Sequence, residues 1–125
     1  MFHMGDTLVQ AYDLLYRLGI TANYAGFFHT ADAVALCVEC PDRLLLVTKL
    51  LYPDVARRHG TSWKAVERNI RTVIAIVWEK SPVLLEYLAG RPLDKKPKTA
   101  QFLSILAASI LRGKAVVPVE NIPIQ

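Results

Sequence analysis

Lys64, Glu67 and Arg68 lie within one five-residue stretch and carry three different hydrogen-bonding characters. Lysine donates as a point charge, a glutamate carboxylate accepts, and the arginine guanidinium donates in a planar fork. Set along one helix face, such side chains suit base edges. Glu67 can accept from a cytosine amine, and Arg68 can donate to guanine or to a phosphate. Arg57, Arg58, Thr61 and Arg71 flank them and suit phosphate contacts that position a helix without reading sequence. Lys95, Lys96 and Lys98 form a further basic group, either reaching the same backbone or simply solvated. Other reactive residues make a weaker pattern. Cys37 and Cys40 have C-x-x-C spacing, but the chain holds no other cysteine. His3, His29 and His59 are scattered without ligand spacing, so a closed zinc site lacks its remaining ligands. No nucleophile stands beside a base and no glycine-rich phosphate loop is present. The expectation is no catalytic residue, no metal and no cofactor, with the cysteine pair structural or incidental.

The elements that position the basic residues follow from local pattern. Gly60 can take the positive φ of a helix C-terminus, and Ser62 or Thr61 can cap the next helix. Beyond them Val66, Ile70, Val73, Ile74 and Val77 recur at helical spacing, opposite Lys64, Glu67, Arg68 and Arg71. Helix, short glycine turn and half-apolar, half-basic second helix make the helix-turn-helix pattern, spanning about residues 53–79. The second helix, about Ser62–Glu79, would then enter a major groove. An ordinary amphipathic helix with a solvated charged face reads the same way on pattern alone.

At 125 residues, with 53% hydrophobic residues, the chain can bury one core. No apolar run reaches the roughly 18–20 residues a membrane span needs, and MFHMGDTL lacks signal-peptide character. A cytoplasmic protein is expected. The net charge of +4 is unevenly spread: residues 1–56 carry three basic and six acidic side chains, and residues 57–98 carry ten basic and four acidic. A basic centre beside an acidic N-terminal part suggests one face for a polyanion.

In chain order, Asp6 or Thr7 can cap a first helix through Leu18, with Gly19 at its stop. ITANYAGFFHT reads as a connector, and Thr30 as the cap of a short helix to about Cys40, ended by Pro41. LLLVTKLLYP reads as helical from Asp42 on, restarting at Pro53 as the first arm of the helix-turn-helix. Ser81-Pro82 opens a short helix closed by Gly90, RPLDKKPK is an exposed basic loop, and Thr99 caps a last helix ended by Gly113. Tyr12, Tyr16, Tyr24, Phe27 and Phe28 are expected in the core, with Trp78. Trp63 either covers the turn or lies against a DNA backbone. The expected architecture is all-α, a bundle of about six helices over residues 1–115 with a tail at 116–125.

Three stretches, LGITANYAGFFHTADAV, TKLLYPDVARRHGTSWKAVERNIRTVIAIVW and KPKTAQFLSIL, give the chain its family likeness. It resembles the C-terminal DNA-binding domain of the stage-zero sporulation response regulator family over roughly residues 12–112. The resemblance implies a six-helix bundle that binds a short box in double-stranded DNA, often as tandem head-to-tail copies, with a homodimer on paired sites. It makes the helix matching Ser62–Trp78 the recognition helix and puts Glu67 and Arg68 at DNA. Ala65 departs from the family, which usually has an arginine there. An arginine can read guanine with two hydrogen bonds, worth about 1–3 kcal/mol. The family's parent also carries a receiver domain, for which 125 residues leave no room. Either a stand-alone effector or a fragment with its input upstream is implied. The apolar tail from Val116 to Ile124 and the loss of that arginine suggest an alternative, a module that pairs with a full-length regulator instead of reading DNA.

Overall fold

The computed structural model describes residues 4–113. The elements are α1 (Met4–Arg17), α2 (Ala25–Glu39), a 3-10 turn (Pro41–Leu45), the one-turn α3 (Val47–Leu50), α4 (Tyr52–His59), α5 (Trp63–Lys80), α6 (Pro82–Ala89) and α7 (Thr99–Leu111). Six of these helices have eight residues or more, and no strand occurs among the described residues. The all-α bundle is therefore as expected. The tail at 116–125 lies outside the described residues.

α2 is the central helix and packs against α1, α4, α5 and α7. It is buried almost throughout, from Gly26 to Val38 with only Phe28 exposed. Such a helix shows little amphipathic period, which is why pattern reading shortened it. The helix begins at Ala25, five residues before Thr30, and its N-cap Tyr24 makes no side-chain cap bond. Gly26 permits the crossing with α5. A Cβ there would lie 2.7 Å from the Asn69 carbonyl oxygen and 2.9 Å from Val73 Cγ2. Only a residue without a side chain lets two backbones approach so closely.

The run after Pro41 is not one helix. It forms the 3-10 turn and the single turn α3, and leaves Leu45, Leu46 and Leu50 exposed. Leucine content predicts helix but cannot supply a buried face, and tertiary packing sustains most helices. Smaller shifts concern caps. Ser81 is the N-cap of α6, yet its hydroxyl donates to the Leu18 carbonyl at 2.9 Å, tying α6 to the end of α1. Lys98 rather than Thr99 is the N-cap of α7.

The aromatic expectation is corrected too. Phe27 is buried, but Tyr16, Tyr24 and Phe28 are exposed and Tyr12 is half-buried. Tyr12 stacks on Phe27 at 5.3 Å between centroids, and Phe28 meets both edge-on. A single core ring therefore carries a surface aromatic cluster on α1 and α2.

Candidate nucleic-acid interface

α4, the turn at Gly60–Ser62 and α5 form a helix-turn-helix. Gly60 adopts φ 62° and ψ 39°, and its N–H donates to Arg57 while that of Thr61 donates to Ala56. This pair of bonds closes α4 with a left-handed residue that glycine takes at little cost. Ser62 then caps α5, its hydroxyl accepting from the Ala65 N–H at 3.2 Å. Between the two candidate caps, the structure selects Ser62. Val55 and Ala56 of α4 and Val66, Ile70, Val73, Ile74 and Val77 of α5 are buried, fixing the angle between the arms.

The opposite face of α5 carries the predicted readers. At 3.6 residues per turn, Lys64, Glu67, Arg68 and Arg71 fall within an arc of about 100°. Lys64, Arg68 and Arg71 are exposed and Glu67 is half-buried. These side chains are not equally available. Arg71 Nη2 bonds Glu67 Oε1 at 2.8 Å, so the acceptor and one phosphate candidate already satisfy each other. The Lys64 ammonium lies 5.8 Å from the Trp63 ring centroid, a cation–π contact that draws it back along the helix. Trp63 itself remains 39% exposed, outside the core. Among the described residues Arg68 has no ion pair. Ala65 is half-buried beside it.

On α4, Arg57 pairs with Asp54, which also holds Arg43 at 2.5 Å. The hydrogen bond from Arg43 and the two nearby positive charges hold the Asp54 carboxyl below its ordinary value. Arg58 is exposed and has no such partner among the described residues, and Thr61 is exposed at the turn.

The lysine loop is brought to the same region. Lys95, Lys96 and Lys98 are exposed, while Pro97 is buried and Leu93 packs on the core. The Leu93 N–H donates to Glu86 Oε2 at 2.7 Å and pins the start of the loop. A cleft of about 460 Å³ opens between loop and helix, lined by Tyr52, Glu67, Arg71, Ile74, Lys96 and Lys98 among others. Burial raises the Tyr52 hydroxyl above its ordinary value, against the opposing effect of its hydrogen bond with Thr99. Tyr52 of the first arm and Thr99 at the start of α7 both line this cleft. Lys96 and Lys98 thus stand beside Arg71, 25 and 27 positions away in sequence.

The remaining reactive residues fall elsewhere. Cys37 and Cys40 are both free thiols; Cys37 is buried in α2, and desolvation pushes its pKa up to about 12, too high for a thiolate at neutral pH. No group of three histidine, cysteine or acidic residues able to hold a metal occurs among the described residues. Nor is any described helix long and apolar enough to cross a membrane. Pattern reading missed one constellation. His29 and Asp32 of α2 meet His59 at the end of α4, and Asn69 of α5 joins them through His29, behind the turn.

A glycine-closed helix, a short turn and a second helix with an exposed basic face, set in an all-α bundle, define a helix-turn-helix domain. The chain belongs to the family described as sporulation initiation factor Spo0A C terminal, whose model matches residues 11–110. That family is the DNA-binding effector domain of a sporulation regulator and is not an enzyme family. The match takes in the helix-turn-helix, the lysine loop and nearly all of α7. The family expected from the three stretches above is the family found.

Proposed function

We propose that this chain is a sequence-specific, non-enzymatic transcription regulator that docks α5 in the major groove of double-stranded DNA. The observation that carries the reading is the exposed arc of Lys64, Glu67 and Arg68 on the first two turns of a capped second helix, with cations on either side. Arg68 is the principal reader, since its fork has no ion-pair partner among the described residues. Glu67 reads by exchanging its bond to Arg71 for a cytosine amine, which frees Arg71 for phosphate. Arg57, Arg58, Thr61, Lys95, Lys96 and Lys98 hold the backbone. Two copies on tandem sites would act together, in the cytoplasm of the cell.

The test is a fluorescence-anisotropy titration with the family's box and a random duplex. Preference for the box that Ala65→Arg sharpens supports specific reading. Equal, weak binding to both duplexes by both proteins would overturn it.

A second reading rests on a different observation. Leu45, Leu46 and Leu50 are 78%, 58% and 41% exposed on the segment just before the motif. Exposed apolar clusters of this kind mark interaction surfaces. The occupant proposed is another chain of the same fold, such as a full-length regulator. Sedimentation of the chain with and without Leu45→Ser and Leu46→Ser discriminates: concentration-dependent association lost in the variant favours this reading.

A further inference from the structure

Behind the recognition helix lies a polar cluster that the DNA reading does not use. His59, the last residue of α4, presents Nε2 at 2.5 Å from Asp32 Oδ2 on α2. A carboxylate only accepts, so this nitrogen carries the proton and donates. The His29 ring packs edge-on against that of His59, 4.8 Å between centroids. Asn69 of α5 places its amide nitrogen 3.2 Å from His29 Nδ1. That nitrogen is then the acceptor, and the His29 ring is neutral. His29 is 6% exposed and Asp32 9%. The four residues connect α2, the end of α4 and the recognition helix, at the level where Gly26 touches Asn69.

We propose that His29, Asp32, His59 and Asn69 form a proton-sensitive clasp that sets α5 and the turn against α2, so that acidification loosens the reading head. Its consequence for DNA rests on the function proposed above; the clasp itself does not. Three effects act together when His29 gains a proton. Nδ1 turns from acceptor to donor and opposes the Asn69 amide. A cation is created in a buried site, which is costly without a partner. Asp32, the one carboxylate near His29 among the described residues, is already taken by His59. Turning the Asn69 amide would restore a hydrogen bond but leave the buried cation beside a second imidazole.

The surroundings offer no relief. Facing His29 are Asp32 from its own helix, His59 from α4 and uncharged Asn69 from α5. α1 contributes the Tyr12 hydroxyl, which lies within the field of Asp32. α7 contains no ionisable side chain, and Asp54 and Arg43 satisfy each other elsewhere. Burial and the neighbouring His59 hold His29 below its ordinary value, with Asp32 opposing. The neutral ring is therefore the folded form at neutral pH.

The sign separates this device from simple electrostatics. Added positive charge on a DNA-binding protein ordinarily tightens binding. The clasp predicts that acidification weakens it, by about three- to tenfold between about pH 7.5 and pH 5.5, because one proton moves an equilibrium by at most tenfold per unit. The experiment measures three things across that range: affinity for the box, thermal unfolding, and the imidazole nitrogen shifts by NMR. It uses the wild-type chain and a His29→Gln/His59→Gln variant. Glutamine keeps an amide acceptor for Asn69 and a donor for Asp32 but does not titrate. The expected result is loss of affinity and of Tm with acidification in the wild type, and flat profiles in the variant. Binding that tightens with acidification in both chains, or identical unfolding profiles, would overturn the clasp. Absence of DNA binding at every pH would sink the proposed function, and the unfolding and NMR profiles would still decide the clasp. Should the double variant fail to fold, the single His29→Gln variant, which removes the titrating ring and keeps an acceptor for Asn69, is expected to flatten the unfolding profile; an unchanged slope counts against the proposal.

Discussion

Sequence spacing sets Arg68 at base edges and Arg57 and Arg71 at phosphates, and the structure adds a difference in how free each guanidinium is. Arg57 is engaged with Asp54 and Arg71 with Glu67, whereas Arg68 is exposed without an ion pair among the described residues. Removing a side chain that reads guanine costs about 1–3 kcal/mol of binding and relaxes preference at that base. Arg68→Ala is therefore expected to lose at least about fivefold in affinity for the box and less on a random duplex. Arg57→Ala should cost less and equally on both, since it gives up an internal pair to touch phosphate. Anisotropy on both duplexes checks the ranking, and an Arg57→Ala effect larger than that of Arg68→Ala would reverse it. His29 adds a pH dependence at this same scale. Its folded pKa lies below the unfolded value of 6.5. The unfolded chain thus binds more protons below that pH, and the contribution to stability is complete above it and lost on descent through the folded value. Thermal melts of the wild type and of His29→Gln at falling pH should converge if His29 is the group responsible.

At the scale of elements, two glycines matter for different reasons. Gly26 is a matter of space, because a methyl there meets the Asn69 carbonyl and Val73. Gly26→Ala should force α2 and α5 apart and cost about 1–3 kcal/mol as an overpacked contact. It should also weaken DNA binding, because α5 shifts with it. Gly60 is a matter of backbone alone, with φ 62° and open space around a Cβ. Gly60→Ala should cost about 1–2 kcal/mol from the left-handed conformation, and Gly60→Asn less, since asparagine tolerates that region. Chemical denaturation of the three variants provides the measurement. An asparagine as damaging as alanine would show that something other than φ is at stake.

For the whole molecule, the decisive quantity is how many cations meet phosphate at once. Arg57, Arg58, Arg71, Lys95, Lys96 and Lys98 are the candidates, two of them already paired internally. Each neutralised phosphate contributes about 0.9 to the slope of log affinity against log salt, so a slope between about −4 and −5 is expected on duplex DNA. Replacing Lys95, Lys96 and Lys98 by alanine should reduce its magnitude by about 3 if the loop tracks the backbone. An unchanged slope would leave the lysines as a solvated surface and confine the footprint to the helix-turn-helix.

Much of this architecture was legible in the residue order. Gly60, Ser62 and the apolar spacing of Val66 to Val77 are local rules acting over a few residues, and α4, the turn and α5 fall where those rules put them. Glycine stops at Gly19, Gly90 and Gly113 are of the same kind, each with positive φ. Reading failed where burial rather than local preference governs. α2 is buried on nearly every side, so it shows no period to mark its start at Ala25. The leucines after Pro41 have helical composition but share no single face, since Leu51 enters the core while Leu45, Leu46 and Leu50 are exposed, and the chain there breaks into two short turns. The lysine loop could be named as basic, but only folding sets it beside Arg71. His29, Asp32, His59 and Asn69 could not be grouped at all, since pairs in the cluster are separated by 27 and 40 positions. Capping and amphipathic spacing are short-range and survive in the one-dimensional chain. Charge pairing and buried hydrogen bonds depend on distances that exist only once the helices have packed.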